Sequence, residues 1–378
     1  MAELEFSATI ADLCTQIDEH ITDLFQQYRQ SLSPIADSGT NAATATFMDL
    51  AHGAIQGGKR FRGLCAILGT ATVLAAHHPQ ATAVELLALA AAQPGLLDLA
   101  AALEFYQASA LIHDDFVDRA ETRRGEPATR IGFATYHRNR HLVGEADHFG
   151  DAAAVLAGDY LLSLADQVLA EAAATNFSAM PVSVWRRFTA MTAEVAWGQF
   201  LDLHLSQVPL GEQSLAEILA VIKAKSARYS VVSPAVLGAL TVGATASEIH
   251  FLETVLENAG IAFQLRDDAL GVFGDPHVTG KPAGDDVREG KRTALLMLTW
   301  ENATEGERQI LQATYAAAPE QRELQQIIGL IDQRGRLPHE QLISNFTRRA
   351  QMLSSEASHP QVCELLDYLV MALTCRHA

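Results

Sequence analysis

Residues 96–118 read LLDLAAALEFYQASALIHDDFVD. Apolar residues recur every three or four positions, and Ala, Leu, Glu and Gln, all strong helix formers, fill most of the rest, so the stretch predicts one long helix from Leu96 to Val117. Gln93-Pro94-Gly95 supplies the break in front of it. The helix ends in carboxylates. Asp114 and Asp118 stand four apart and share a face, so two acids point at one spot beside apolar neighbours. Burying them is costly without a compensating cation or partner, and paired hard oxygens suit Mg²⁺ in particular.

The same period extends outward along most of the 378 residues. It predicts helices near Ala152–Ala173, Val184–Leu205, Leu215–Val232, Glu248–Val272 and Thr293–Glu301, followed by amphipathic helices beyond Thr304. Alternating strand patterns bounded by hairpin dipeptides are absent, as is any solenoid period. The expectation is an all-α fold, a single large helical bundle around a central cavity, in one domain over residues 1–378. Two stretches read as long functional loops: Arg119–Gly150, dense in Arg, His and Gly, and Gly274–Arg292, with four Gly and two Pro.

Composition narrows the chemistry. Hydrophobic residues make up 49% and charged ones 19%, enough apolar material for a large core. With 27 Lys and Arg against 45 Asp and Glu, the net charge of −18 argues against nucleic acid as a partner. The start, MAELEFSATIADLC, lacks the basic-then-apolar order of a signal peptide. The longest apolar region, Ala83–Phe105, is interrupted by Glu85, Gln93, Pro94, Gly95 and Asp98, so no stable membrane anchor and a cytoplasmic location are expected. Cys14, Cys65, Cys363 and Cys375 show no metal-ligand spacing and read as reduced thiols.

A second acidic pair, Asp267-Asp268, closes another apolar helix after Phe263-Gln264-Leu265-Arg266. One such pair reads as a solvated helix end, whereas two, each followed by a basic loop, read as a metal-diphosphate site. Anion-binding cations are at hand. Gly57-Gly58-Lys59-Arg60-Phe61-Arg62-Gly63 packs three cations into four positions, and Arg123, Arg124, Lys225, Lys281, Lys291 and Arg292 add more. Neither glycine-rich stretch is a nucleotide loop: Gly274 to Lys281 has one residue too many between its glycines, and Pro282 follows in place of Ser or Thr.

In order, GGKRFR, LIHDDFVD with TRRGEP, LAGDYLL, GQFLDL, KSARYS, FQLRDD and TGKPAGDD with EGKRT resemble the trans-isoprenyl diphosphate synthases of the polyprenyl synthetase family, bacterial geranylgeranyl diphosphate synthase types among them. The resemblance covers nearly the whole chain. It implies a usually homodimeric, Mg²⁺-dependent prenyltransferase that condenses isopentenyl diphosphate with an allylic diphosphate (dimethylallyl, geranyl or farnesyl). It also implies two facing aspartate motifs and three Mg²⁺. Carried over by position, Asp114 and Asp118 ligate two ions and Asp267 the third, with Asp115 and Asp268 orienting water or ligands. Arg123, Lys225 and Lys281 would hold the allylic diphosphate; Lys59, Arg62, Gln107 and Arg124 would hold isopentenyl diphosphate, with Lys291 also assigned to substrate. Gln264, Tyr229 and the backbone near Ser226 would stabilise the allylic cation, and Gln199 and Asp202 would orient the metal-side groups. Gln107 stands where many members have His, and Gly271 where the second motif often ends in Asp, with Asp275 one turn further on.

On the face of Asp114, the residues before it are Ala110, Tyr106 and Leu103. Ala110 and Ser109 are small, so the aromatic plug of farnesyl-making relatives is missing and Tyr106 is expected as the floor of a tunnel for geranylgeranyl diphosphate. Two rivals remain. His113-Asp114 also fits an HD-type metal phosphohydrolase, which leaves the second acidic pair and the basic clusters without roles. A non-catalytic subunit of a two-chain synthase would account for Gly271.

Overall fold

The computed structural model describes residues 2–31, 41–175, 181–274, 284–317 and 322–374. Its contacts fall into two compact units: unit 1 comprises Met1–Leu74, Val84–Trp185 and Gly238–Gly243, and unit 2 comprises Ala75–Ala83, Arg186–Leu237 and Ala244–Ala378. Helices build both, in agreement with the all-α expectation.

Unit 1 carries α1 (Ala2–Ser31), α2 (Asn41–Ile55), α3 (Phe61–Leu74), α4 (Ala83–Ala91), α5 (Leu96–Val117), α6 (Thr129–Asn139) and α7 (Ala146–Thr175). The deciding helix α5 spans the residues that its apolar period predicts and is buried almost all round, from Leu96 through Leu103 and Phe105 to Ile112. A helix apolar on every face belongs at the centre of its unit, and α3, α7 and α1 pack on it. Ile17, Ile21 and Phe25 of α1, fully buried at four-residue spacing, form one stripe of that contact, and Gly63 of α3 lets Ile17 and Ala100 approach closely. The apolar region from Ala83 is broken at Gln93-Pro94-Gly95 into α4 and α5, which meet at 83°. Among the described residues one helix, α7, is by itself long and apolar enough to cross a membrane. Its apolar positions from Ala154 to Ala172 are largely buried within unit 1.

The stretch after α5 corrects the expectation of a long loop over Arg119–Gly150. It holds a hairpin, β1 (Thr122–Arg123) and β2 (Glu126–Pro127), then α6 and the start of α7. Arg124 (φ 56°) and Gly125 (φ 80°) give the left-handed pair that a tight two-residue turn requires. Strands of two residues are too short to show an alternating pattern, so the hairpin left no trace in the periodicity.

Unit 2 holds α8 (Pro181–Gln207) from Arg186 onward, α9 (Leu215–Ile222), a π-helix (Lys223–Val232), the start of α10 (Ser233–Thr241), α11 (Ala246–Phe273), α12 (Asp285–Glu289), α13 (Ala294–Asn302), α14 (Glu305–Ala316), α15 (Leu324–Arg334), α16 (Arg336–Ser354) and α17 (Pro360–Thr374). Several starts are written in the sequence. Ser214 with Glu217, Thr245 with Glu248 and Thr304 with Glu307 form capping boxes that satisfy the first free N–H groups of α9, α11 and α14. The π-helix continues α9 with a wider turn, a geometry common where function displaces a side chain. It is held on two sides by glycines: a Cβ at Gly198 would lie 2.7 Å from the Lys225 backbone nitrogen, and one at Gly260 would lie 2.9 Å from Ala227.

His339 of α16 is 1% exposed. Burial, opposed by the Glu340 charge and assisted by that of Arg266, pushes its pKa down to about 4. The folded chain therefore resists protonating a ring that the unfolded chain protonates near pH 6.5. This stabilisation, on the order of 3 kcal/mol, is complete above that pH and is lost as pH falls toward 4. In urea unfolding, His339→Gln should show a flatter fall in stability between pH 7 and 4 than the wild type; parallel pH profiles would contradict the assignment.

Candidate active site

In unit 1 the first acidic motif ends α5. Asp118 caps the helix, its N–H donating to the Asp114 carbonyl, and Asp114 and Asp118 remain partly exposed. Asp115 is 3% exposed and accepts from Arg123, whose Nε lies 2.8 Å from its Oδ1, while Arg123 Nη2 reaches Asp114 at 3.5 Å. Burial alone would lower the Arg123 pKa; the hydrogen bond and charge of Asp115, with the charges of Asp114 and Asp118, carry it above its ordinary value. Asp115 thus fixes the arginine, and Asp114 and Asp118 are the carboxylates presented from this helix end.

Arg124, next on the hairpin turn, points elsewhere. Its Nη1 donates to the carbonyls of Gln56 at 2.6 Å and Gly57 at 2.9 Å. The guanidinium lies against Gly58, where a Cβ would come within 3.0 Å of Nη2 and where φ is 104°. The turn therefore joins the GGKRFR segment. Burial, then the charges of Arg60, Arg123 and Arg62, press the Arg124 pKa down, against the pull of Glu104. Such crowding of cations is relieved by an anion. Lys59 is exposed, Arg62 and Gln107 are half-buried, and Arg60 between them is 4% exposed.

Sequence reasoning missed what holds this loop. Arg60, at φ 48°, pairs with Asp18 of α1, lies 3.6 Å from Glu104 of α5 and donates to the Ile55 carbonyl at 2.9 Å. Glu104 also accepts from the Gly63 N–H at 3.2 Å. The one signal in the sequence was a lone Glu inside an apolar helix, which requires a buried partner. His113 turns to α7: its ring lies on Gly158, 3.3 Å from the Val155 carbonyl and 3.4 Å from Asp159. Of the tunnel residues, Leu103, Tyr106 and Ser109 are buried and Ala110 is partly exposed.

In unit 2 the second motif lies in the last two turns of α11. Asp267 is partly exposed, whereas Asp268 is 7% exposed and accepts from Gln264 Nε2 at 2.9 Å. Burial first, and then the charge of Asp286, raise the Asp268 pKa well above the usual carboxylate range. Gln264, expected to face an allylic cation, is thus engaged by Asp268. Lys225, on the π-helix, donates to Asp202 of α8 at 2.6 Å, and Tyr229 one turn on is buried. Lys223 and Arg228 of the same helix pair instead with Glu257 and Glu194, at 2.5 and 2.8 Å.

Lys291 sits 2.7 Å from Glu289 and 3.5 Å from Asp286. Arg292, counted among the anion-binding cations, is packed over the Tyr315 ring at 4.9 Å and buried, which removes it from that set. Arg266 is taken up by Glu340 through two bonds of 2.6 and 2.9 Å. Lys281 and Asp275 lie outside the described residues.

Among the described residues no three of His, Cys, Asp and Glu are gathered closely enough to hold an ion unaided. Mg²⁺ does not require such a cage, since it is ordinarily shared among one or two carboxylates, waters and a substrate phosphate, and partly exposed acids one turn apart fit that role.

A family model described as Polyprenyl synthetase matches residues 45–331. The geranylfarnesyl diphosphate synthase of Aeropyrum pernix is 32% identical over 324 residues, covering 83% of this chain and 90% of that relative. The geranylgeranyl diphosphate synthase of Sulfolobus acidocaldarius is 32% identical over 212 residues, 56% of this chain and 58% of that one. Among solved structures, a geranylgeranyl pyrophosphate synthase from Corynebacterium glutamicum, complexed with isoprenyl diphosphate and magnesium, superposes with a TM-score of 0.83 at 32% identity, over 97% of this chain and 99% of that one. Matched by the family's pattern over well more than half its length, and similar in fold and sequence to prenyl diphosphate synthases, the chain belongs to the polyprenyl synthetase family and is a prenyltransferase that elongates trans-prenyl diphosphates.

Proposed function

We propose that the protein condenses isopentenyl diphosphate with a dimethylallyl, geranyl or farnesyl diphosphate in the presence of Mg²⁺ and releases mainly geranylgeranyl diphosphate. The observation that carries this reading is the split within each acidic motif. One carboxylate is spent on a protein partner, Asp115 on Arg123 and Asp268 on Gln264, while its neighbour stays partly exposed.

In this reading Asp114 and Asp118 would hold two ions and Asp267 the third, and bound Mg²⁺ would supply the positive charge that a departing diphosphate needs. Arg123, aimed by Asp115, Lys225, aimed by Asp202, and Lys281 grip the allylic diphosphate, and Tyr229 faces the developing cation. Lys59, Arg62, Gln107 and Arg124 hold isopentenyl diphosphate, which attacks C1 of the allylic cation through its terminal double bond; the proton then leaves to the released diphosphate. Arg60 and Glu104 position that loop from beneath, and Lys291 supports the acidic side through Asp286 and Glu289. The two units are proposed to act as one synthase domain, in the cytoplasm.

The HD-hydrolase alternative loses its histidine, because His113 is engaged on α7 by Val155 and Asp159. Purified protein given Mg²⁺, isopentenyl diphosphate and each allylic diphosphate should yield longer prenyl diphosphates, and Asp114→Asn should lower kcat by at least about a hundredfold while circular dichroism stays unchanged. Phosphate release without chain growth would point to hydrolysis instead, and turnover only with an added partner chain to a subunit role.

The product assignment rests on α5, where Ala110 leaves room beside Asp114 and the buried Tyr106 stands one turn deeper. Tyr106→Ala should extend the product by about one isoprene unit or more, since a helical turn rises about 5.4 Å; an unchanged product profile by mass spectrometry would remove Tyr106 as the floor.

A homodimer is proposed from α8. Trp197, Phe200 and Leu203, at 56%, 62% and 46% exposure, line one face at three-residue spacing, an apolar stripe that a second copy of the chain would cover. Light scattering should return twice the mass of the 40.8 kDa chain, and a monomer at micromolar concentration would refute it.

A further inference from the structure

The segment that leads to Lys291 cannot hold its own shape. Its helix α12, Asp285–Glu289, has five residues, far below the roughly 12–15 at which an isolated helix becomes marginally stable in water. Tertiary contacts must fix it. At its start Gly284 (φ 78°) rests against Ile328 of α15, where a Cβ would lie 2.7 Å from Cδ1, and Val287 is buried in the core of unit 2.

Arg322, two residues ahead of α15, holds the other end. Its Nη1 donates to the carbonyls of Val287, at 3.2 Å, and of Arg288, in the last turn of α12 where carbonyls lack helical partners. The guanidinium lies against Gly290 (φ 82°), where a Cβ would come within 2.8 Å of Nη1, and it covers the buried Tyr315 ring at 5.7 Å. Arg292 stacks on the same ring at 4.9 Å and donates to the Gly290 carbonyl at 3.0 Å. Two guanidiniums on one ring thus clamp the chain on both sides of Lys291, whose ammonium lies 2.7 Å from Glu289 and 3.5 Å from Asp286. The Asp286 side chain in turn meets α11 at Gly271, one turn beyond Asp267.

We propose that Arg322, which lies outside every motif quoted above, is a positioning residue of the elongation reaction. By pinning the end of α12 on Tyr315 it sets Lys291 beside the end of α11, where Lys291 meets the diphosphate of a bound substrate. The inference rests on the synthase reading and on the substrate role that the family resemblance gives Lys291.

The test is steady-state elongation by purified full-length chain with Mg²⁺, isopentenyl diphosphate and each allylic diphosphate in turn, beside hydrogen exchange read by mass spectrometry. Arg322→Met should quicken exchange at the Gly290 and Lys291 amides, which donate to the Asp286 carbonyl at 3.0 Å, and lower kcat/KM by about ten- to a hundredfold. Lys291→Met should cause a fall of the same order, and the double variant should fall no further than Lys291→Met alone, since one residue acts through the other. Arg322→Lys, which can still donate to a carbonyl, should recover part of the loss. Arg334→Met, which breaks a 2.9 Å pair with Glu307 between α15 and α14, should lower the melting temperature and leave kcat/KM unchanged. Losses that multiply in the double variant, or an equal loss with Arg334→Met, would overturn the proposal and make Arg322 a support of the fold alone. A wild-type chain that elongates no prenyl diphosphate would refute the synthase reading itself, and the inference with it.

Discussion

Both acidic motifs stand where a helix is least hospitable to acid. The C-terminal end of a helix already carries partial negative charge from its unpaired carbonyls, and α5 and α11 each place two or more aspartates in the final turns beside apolar neighbours. Positive charge is therefore obligatory at these ends. The chain meets the requirement in part with its own groups, Arg123 at the first motif and Lys291 near the second.

That constraint orders the surroundings of each motif. At the end of α5 the chain turns at once through a two-residue hairpin, which brings Arg123 back onto Asp115 and sends Arg124 to the carbonyls of Gln56 and Gly57. One short turn thereby ties the acidic helix end to the basic loop. Beneath the loop, Arg60 is clamped by Asp18 and Glu104, so the cations at 59 and 62 are set on a rigid base and not on a flexible strand of chain. The arrangement needs both carboxylates: removing either would leave a buried guanidinium undercompensated.

The acidic end of α11 is organised differently. Its supporting residues come from Gln264 within the helix and from α12, and Gly198 and Gly260 let the π-helix settle closely between α8 and α11. The wider turn of the π-helix separates Lys225 and Tyr229 from Lys223 and Arg228, which pair with Glu257 and Glu194. Charges adjacent in sequence are thus sorted to different partners. A rule that counts cations by proximity in sequence cannot make that distinction, and Arg292, buried over Tyr315 beside Lys291, shows the same failure.

The sequence by itself determined the helical class, the course of α5 and α11, the starts marked by capping boxes and the identity of the two aspartate motifs. Each of these follows from spacing along one helix, and spacing is fully present in the order of residues. Only the tertiary structure decided which aspartate of each pair is spent on a protein partner, that Arg119–Gly150 folds into a hairpin and helices, that Glu104 anchors Arg60, and that Asp286 fills the space beside Gly271. Those outcomes depend on contacts that range from four positions apart, Gln264 with Asp268, to forty-four, Arg60 with Glu104, or on turns of two residues. Neither leaves a period in the chain, because a side chain's partner is set by where its backbone is carried and not by what stands next to it.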